Sequence, residues 1–232
     1  MKVTYLDHSG FVVDLGENML VFDYYKGELP ARAVDRKLYV FSSHAHYDHF
    51  QKKIFDWAED LDVTYILSDD IQVSAAERQK AEGKVHRIAP RQTFRTEGLS
   101  IQTLRSTDEG VAFLAQVDGR TIYHAGDLNW WHWEGEPEEY NTGMRRSYQS
   151  EINKLQKEKI DAAFVPVDPR LGEQYCWGLD CFMKRVGAAY VFPMHFWGNY
   201  GIFDRLMLEK CTEEYREQVI KIEKEGQSFT LG

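Results

Sequence analysis

The sequence predicts an α/β protein in which two β-sheets lie between layers of helices. Short apolar or alternating runs crowd the first half of the chain and are typical of strands. In the second half, strand-like and helix-like segments alternate. The chain has 232 residues, of which 43% are hydrophobic, and this is enough for a large core. No linker, repeat or low-complexity tract interrupts it, so we expect one domain spanning residues 1–232.

In the first half, turn residues separate the apolar runs. Ser9-Gly10 marks one turn, and Asp118-Gly119 is a hairpin signal. Residues 38–42 (Leu-Tyr-Val-Phe-Ser) are apolar almost throughout, which favours a buried strand. Strands are predicted at 2–6, 11–15, 19–23, 38–42, 64–68, 85–88, 92–95, 99–104, 111–117 and 121–125. Helices are expected at 52–60 and 71–82, and a polar loop at 24–35.

The second half begins with an irregular segment at 129–139 that is rich in Trp and Glu. Helices are then predicted at 148–157, 179–186 and 203–210. Strands are predicted at 162–167, 190–194, 219–222 and 228–231. A helix between two strands is typical of parallel strand pairs.

Charge and cysteine usage narrow the class of protein. The formal net charge is -9, from 28 basic and 37 acidic residues. This disfavours nucleic acid and anionic membranes, which both require a basic face. The three cysteines have no framework spacing, which indicates reduced thiols. The start of the chain has no long apolar segment, and no run reaches the roughly 18–20 residues of a spanning helix. We therefore expect a cytoplasmic protein, with homo-oligomerisation left open.

A cluster of metal-binding residue types follows the buried strand at 38–42. His44 and His46 are two positions apart, so they lie on the same side of an extended chain. Asp48 and His49 follow where the chain is expected to turn, so the two pairs can face one cavity. Imidazole nitrogens with a carboxylate oxygen suit zinc, and also manganese or iron.

This cluster resembles the signature His-x-His-x-Asp-His of the metallo-β-lactamase fold superfamily at all four positions. Two later segments resemble the same superfamily: residues 121–127 end in Gly-Asp, and residues 191–195 end in Pro-Met-His. The resemblance implies that Asp127 can bridge two metals and that His195 is the last metal ligand. It also implies a four-layer αββα sandwich of two mixed sheets flanked by helices. The opening, at residues 6–11 and 21–23, is similar to the branch containing L-ascorbate-6-phosphate lactonase.

One metal ligand of the family pattern has no counterpart. The family places a third His for the first metal in the stretch that matches residues 105–111 (Arg-Ser-Thr-Asp-Glu-Gly-Val), which contains none. Ser106 falls nearest to that position, and Asp108 or Glu109 could supply an oxygen instead. The expected ligands are therefore His44, His46, Asp48, His49, Asp127 and His195, with Asp108 as a weaker candidate. One or two divalent ions are expected.

The resemblance implies a metal-dependent hydrolase. A bound divalent metal lowers the pKa of water to about 7, so that hydroxide can attack a lactone, ester, amide or phosphodiester. In the family the cluster Asp binds metal and can also handle the proton, so Asp48 is the catalytic candidate. Alternatives are a non-catalytic or regulatory metal-binding protein, a nuclease that processes RNA or DNA, and an oxidoreductase.

Four other residues are candidates for supporting roles. His8 can touch substrate in the lactonase-like branch, although a structural role is equally plausible. Trp131 follows Asp127 and can wall a pocket. Arg170 follows a predicted strand and can bind an anionic group of a small-molecule substrate. Asp23 ends a strand and is expected to brace the metal loops.

Overall fold

The computed structural model describes residues 1–30 and 36–232, so the end of the loop predicted at 24–35 lies outside the described residues. The strands are β1 (Lys2–Asp7), β2 (Gly10–Asp14), β3 (Asn18–Phe22), β4 (Lys37–Ser42), β5 (Asp62–Ser68), β6 (Val85–Ile88), β7 (Thr93–Thr96), β8 (Leu99–Arg105), β9 (Val111–Val117), β10 (Arg120–His124), β11 (Ala162–Pro166), β12 (Tyr190–Met194) and β13 (Ser228–Thr230). The α-helices are α1 (Ala75–Lys80), α2 (Glu138–Ile152), α3 (Trp177–Arg185) and α4 (Gly201–Leu208).

These strands form two mixed sheets. The first has the order β13-β1-β2-β3-β4-β5-β6, with antiparallel pairs up to β3 and parallel pairs from β3 to β6. The second has the order β12-β11-β10-β9-β8-β7, in which β10, β11 and β12 run parallel. Helices flank the two sheets, which confirms the predicted four-layer αββα fold. The extent of the domain, 1–232, stays a prediction.

Alternate residues of the first sheet point into two different cores. In β4, Tyr39 and Phe41 join the larger core between the sheets, whereas Leu38 and Val40 join a smaller core on the outer face. The outer core is closed by a 3₁₀ helix at Lys52–Glu59, which contributes Ile54 and Phe55. Burial on both faces explains why this strand is a continuous apolar run rather than an alternating one.

Three predicted elements differ from the structure. Helix α2 begins at Glu138, ten residues before the predicted start at 148, because most of its residues are exposed and the apolar period is weak. Within the helix predicted at 71–82, only Ala75–Lys80 is helical, and Ser74 begins it through a capping box with Glu77. Residues 219–222 form no strand, and Val219 makes a single bridge to Val191.

Two other expectations concern the whole chain. All three cysteines are free thiols, as expected. Among residues 1–30 and 36–232, no helix is both long enough and apolar enough to cross a membrane.

Two glycines bring the sheets close together at the carboxyl end of β4. A Cβ on Gly110 would lie 2.0 Å from the carbonyl oxygen of Ser43, and one on Gly126 would lie 2.6 Å from the Ser43 Cβ. Both glycines have positive φ, which is unfavourable for residues with a side chain. Val111 N–H donates to the Ser43 oxygen at 2.9 Å, which joins the second sheet to the loop after β4. These contacts bring the end of β4, the start of β9 and the end of β10 to one place.

Candidate metal centre

Seven side chains meet at the strand ends. They form one group of His8, Asp48, His49 and His195 and a second group of His44, His46 and Asp127. Within each group, the candidate donor atoms lie within 4.8 Å of one another. All of these residues are buried except His46, which is exposed. Six of them were predicted as ligands from the sequence, and His8 was predicted as a substrate contact.

Asp127 connects the two groups. Its Oδ2 lies 3.4 Å from His44 Nε2, and its Oδ1 lies 3.4 Å from His49 Nε2 and 3.5 Å from His195 Nε2. A carboxylate with one oxygen facing each group has the geometry of a bridging ligand. The bridging role that the sequence resemblance implied for Asp127 stays a prediction.

Buried polar atoms without partners show that the cluster fits a cation. His8 Nε2, His49 Nε2 and Asp127 Oδ1 are fully buried, and none forms a hydrogen bond within the part of the chain that the structure describes. Each such atom costs about 1–3 kcal/mol if it stays unpaired. Imidazole nitrogens and carboxylate oxygens are the donors that zinc and other divalent transition metals take. The donor set therefore fits a binuclear metal site.

Asp23 orients two of the candidate ligands. Its Oδ2 accepts a hydrogen bond from His49 Nδ1 at 2.7 Å and from the Ser43 hydroxyl at 2.6 Å. The Ser43 hydroxyl donates its own proton to Asp23, so its oxygen accepts a hydrogen bond from His44 Nδ1–H at 3.0 Å. With the protons held on Nδ1, both rings present the Nε2 lone pair to the cluster. One buried carboxylate thus sets the tautomer of two histidines, as is usual around metal sites.

Asp168 has the same effect on His195. The Nδ1–H of His195 donates to Asp168 Oδ2 at 2.9 Å, so Nε2 is again left for a metal. Asp168 is itself held by Arg170, whose Nε lies 2.9 Å and whose Nη2 lies 2.6 Å from the same oxygen. Asp168 follows the strand predicted at 162–167. Its position two residues after β11, at the edge where β10 and β12 also end, was the available signal.

Burial determines the charge of most of these groups. Burial lowers the pKa of His8 and of His44 to about 2, and it lowers the pKa of His49 well below its usual value. These three rings are therefore neutral, as ligands must be. Burial also lowers the pKa of His195, but the hydrogen bond to Asp168 and the charge of Asp127 raise it more, so the net shift is upward.

Asp127 is the carboxylate whose ionisation the fold opposes. Burial raises its pKa from the usual 3.8 to about 7. Burial of an ionised carboxylate costs free energy unless a positive charge is bound beside it. The position of Asp127 between the two groups supplies a place for that charge.

Three residues of the site have strained backbones. His8, Asp23 and His195 have φ values of 50°, 42° and 64°, in the left-handed region that non-glycine residues seldom occupy. Each follows the end of a strand and turns its side chain toward the cluster. Strain of this kind costs about 1–3 kcal/mol per residue and is concentrated at functional sites.

The cluster opens into a cavity of about 450 Å³. Trp131, Trp133 and Trp197 line it together with Arg170, and the Trp131 Nε1–H donates to the Asp127 carbonyl oxygen at 2.9 Å. Trp131 and Arg170 thus lie on the wall of this cavity, and their roles as substrate contacts stay predictions.

Asp108 does not join the ligand groups. It is exposed and lies on the cavity wall, with its backbone N–H donating to Ser106 Oγ at 3.1 Å. Asp108 therefore lies outside the two donor groups, and its role as a ligand stays a prediction. The second group contains two histidines and Asp127, whereas His8 adds an imidazole to the first group.

Comparison with known proteins agrees with the fold and with metal dependence. Residues 2–136, more than half of the chain, match the family described as β-lactamase superfamily domain. Two similar relatives are each named a UPF0173 metal-dependent hydrolase. The one from Alkaliphilus metalliredigens is 25% identical over 238 residues, covering 94% of this chain and 93% of its own. The one from Opitutus terrae is 30% identical over 143 residues, covering 55% of this chain and 63% of its own.

A solved structure has the same fold. The metallo hydrolase from the archaeon Ignicoccus hospitalis superposes with a TM-score of 0.62 at 17% identity, covering 100% of this chain and 99% of its own. At this identity the likeness concerns the fold alone. Together with the family match and the buried His and Asp groups, it leads to one conclusion: the chain belongs to the β-lactamase superfamily and is a metal-dependent hydrolase.

Proposed function

We propose that this hydrolase uses one or two divalent ions to cleave a small-molecule lactone, ester, amide or phosphodiester. Zinc is the first candidate, because histidine and aspartate donors predominate, and manganese or iron would fit the same donors. The observation that carries the proposal is the buried, unpaired donor set of His8, His49 and Asp127 at the base of an open cavity. Donors at the end of a cavity can hold an ion where a substrate reaches it.

A bound divalent ion would supply an acidic water at neutral pH and would polarise the scissile carbonyl or phosphoryl group. Asp48 joins the first ligand group and also lines the cavity, as Asp127 does from the second group. Its oxygen can accept the proton of the attacking water and return it to the leaving group. The rings of Trp131 and Trp197 exclude bulk water from one side and pack against the substrate.

Arg170 indicates an anionic substrate. Its guanidinium lies 5.0 Å from the centre of the Trp197 ring and 5.8 Å from that of Trp133. The bonds to Asp168 come from Nε and Nη2, and no hydrogen bond from Nη1 is formed within residues 1–30 and 36–232. Nη1 can therefore bind a carboxylate or phosphate of the substrate.

A lactone that carries a phosphate would satisfy both the metal and Arg170. The similarity of the opening segment to the branch containing L-ascorbate-6-phosphate lactonase supports this substrate class. Nucleic acid fits less well, since the net charge is -9 and the cavity lining includes Asp48, Asp108 and Asp127. We also propose, from the composition, that the protein acts in the cytoplasm.

The test is turnover of a substrate panel by the metal-loaded protein and by Asp48→Asn. The panel contains lactones, esters, amides and phosphodiesters, each with and without an anionic group. We expect the variant to lose at least about 100-fold in kcat, because general acid–base catalysis contributes roughly 10²–10⁴-fold. Asp204→Asn removes an exposed carboxylate that pairs with Lys221 and serves as the matched control.

Two outcomes would contradict the proposal. Full activity of Asp48→Asn would remove Asp48 from the reaction. A wild-type protein that binds metal but turns over nothing in the panel would favour the non-catalytic alternative.

A further inference from the structure

His8 lies in the turn between β1 and β2, and its side chain points into the group of candidate metal ligands. The residue is 4% exposed, and its φ of 50° is strained. Its carbonyl oxygen accepts the backbone N–H of His195 at 3.3 Å, which ties the turn to the strand end that supplies His195. The strained turn and this hydrogen bond together hold the His8 imidazole beside His195.

The ring of His8 is packed tightly among site residues. Its centre is 4.2 Å from that of His195 and 4.4 Å from that of Trp197, and it meets His49 edge-on at 5.4 Å. Its Nε2 lies 3.4 Å from Asp48 Oδ2 and forms no hydrogen bond within residues 1–30 and 36–232. A buried ring nitrogen aimed at a carboxylate without bonding to it is typical of two donors that share an ion.

We propose that His8 is a metal ligand, whose Nε2 completes with Asp48, His49 and His195 a four-donor site for one divalent ion. This inference rests on the metal dependence of the proposed function but not on the reaction or the substrate. It changes the role expected for His8 from a substrate contact to a ligand. The group of His44 and His46 lacks the third histidine of the family pattern. The other group, with Asp48, His49 and His195, gains one histidine, His8.

The two metal sites are then unequal. The His8 group has four buried donor residues, whereas the other group has His44, the exposed His46 and the shared Asp127. More donors and less solvent access retain an ion more strongly. Under limiting chelator, we expect the wild-type protein to keep one ion per chain in the His8 group and to lose the other.

The experiment compares ion binding by the wild-type protein, His8→Ala and His8→Gln. Metal-free protein is titrated with Co²⁺, whose visible absorption reports the number and type of its ligands, and ion retention is measured against a chelator series. Loss of hydrogen-bond partners behind metal ligands costs about 10–100-fold in affinity, so loss of a ligand itself should cost at least about 100-fold. Both variants should also show a changed Co²⁺ spectrum. The matched control is His86→Ala, because His86 is a half-buried histidine that packs against Phe94 outside the cluster.

Retention of one ion and an unchanged Co²⁺ spectrum in His8→Gln would overturn the proposal. A rise in KM alone, with wild-type metal binding, would do the same and return His8 to a substrate contact. Circular dichroism in chelator shows whether a variant is folded, and His8→Gln keeps a polar side chain of similar reach if His8→Ala does not fold. Because ion binding is measured without substrate, failure of the hydrolase proposal would leave this test unaffected.

Discussion

Replacing Asp23 with Asn should weaken metal binding although it removes no candidate ligand. The carboxylate accepts three hydrogen bonds: Oδ1 from the Ser43 N–H at 2.7 Å, and Oδ2 from the Ser43 hydroxyl at 2.6 Å and from His49 Nδ1 at 2.7 Å. Asparagine has one acceptor oxygen and one NH₂ group. Whichever way the amide is oriented, at least one of these donors faces another donor.

The expected loss of metal affinity follows from the hydrogen bond that Asp23 accepts from His49 Nδ1. If His49 no longer donates from Nδ1, its proton can move to Nε2, where it blocks the lone pair that a cation needs. Mutations of such supporting partners cost about 10–100-fold in metal affinity, or about 1.4–2.7 kcal/mol. Asp23 acts on His49 directly and on His44 through Ser43, so we expect the upper end, about 100-fold. The metal-free protein should also lose about 1.5–3 kcal/mol of stability, as for a hydrogen bond to a charged group.

Competition titration against a chromophoric chelator measures the affinity, and thermal unfolding in excess chelator measures the stability. Ser43→Ala cuts the link to His44 alone, so it should weaken binding by about tenfold. Asp204→Asn removes one negative charge far from the site and controls for net charge. An affinity within about threefold of wild type in Asp23→Asn would refute the assignment of the tautomers, since that assignment requires the supporting-partner effect.

Three other changes have defined outcomes. Gly110→Ala should lower the free energy of unfolding by more than about 3 kcal/mol, because its Cβ would lie 2.0 Å from the Ser43 oxygen, and denaturant titration measures this. Since Asp127 has a pKa raised to about 7 in the metal-free fold, cation affinity should fall as the pH drops below that value, with proton release that calorimetry in two buffers detects. Arg170→Gln should raise KM for anionic substrates by about tenfold or more and leave neutral analogues nearly unaffected, as steady-state kinetics would show.

Each of these has a matched comparison. Gly119→Ala also places a side chain at positive φ but meets nothing within 4 Å, so it should cost only about 1 kcal/mol. An equal loss in both glycine variants would show that backbone strain, not the contact with Ser43, causes the effect. Arg145→Gln removes an arginine from a neighbouring cleft and should leave KM unchanged.

The sign of the pH effect on stability can be worked out for Asp127. Its pKa is raised above its usual value of 3.8, so the metal-free fold favours the protonated form. Its contribution to stability is therefore present below the usual pKa and is lost as pH rises through about 7. If the metal-free protein gained stability over that range in wild type but not in Asp127→Asn, the burial argument would be wrong.

The strands and the metal motif could be predicted from the sequence because both are local. Period-two patterns, apolar runs and turn residues reveal most strands, and the adjacency of His44, His46, Asp48 and His49 reveals a metal-binding loop without any folding. Asp127 and His195 came from the family resemblance, which encodes the tertiary arrangement indirectly. The early start of α2 was missed because its exposed first turns have no apolar period.

The tertiary structure alone decided how distant side chains share one cavity. Three features depend on which strand ends meet. Asp108 lies outside the donor groups, His195 donates a hydrogen bond to Asp168, and Asp23 contacts His49 directly and His44 through Ser43. His8 lies 40 residues before Asp48 in the chain, and only the turn after β1 brings its Nε2 to 3.4 Å from Asp48 Oδ2. A sequence pattern shows the apolar period of a strand or helix and its local chemistry. It does not show how the two sheets are placed against each other. The metal loop was therefore evident from the sequence, whereas the composition of each ion's donor set required the fold.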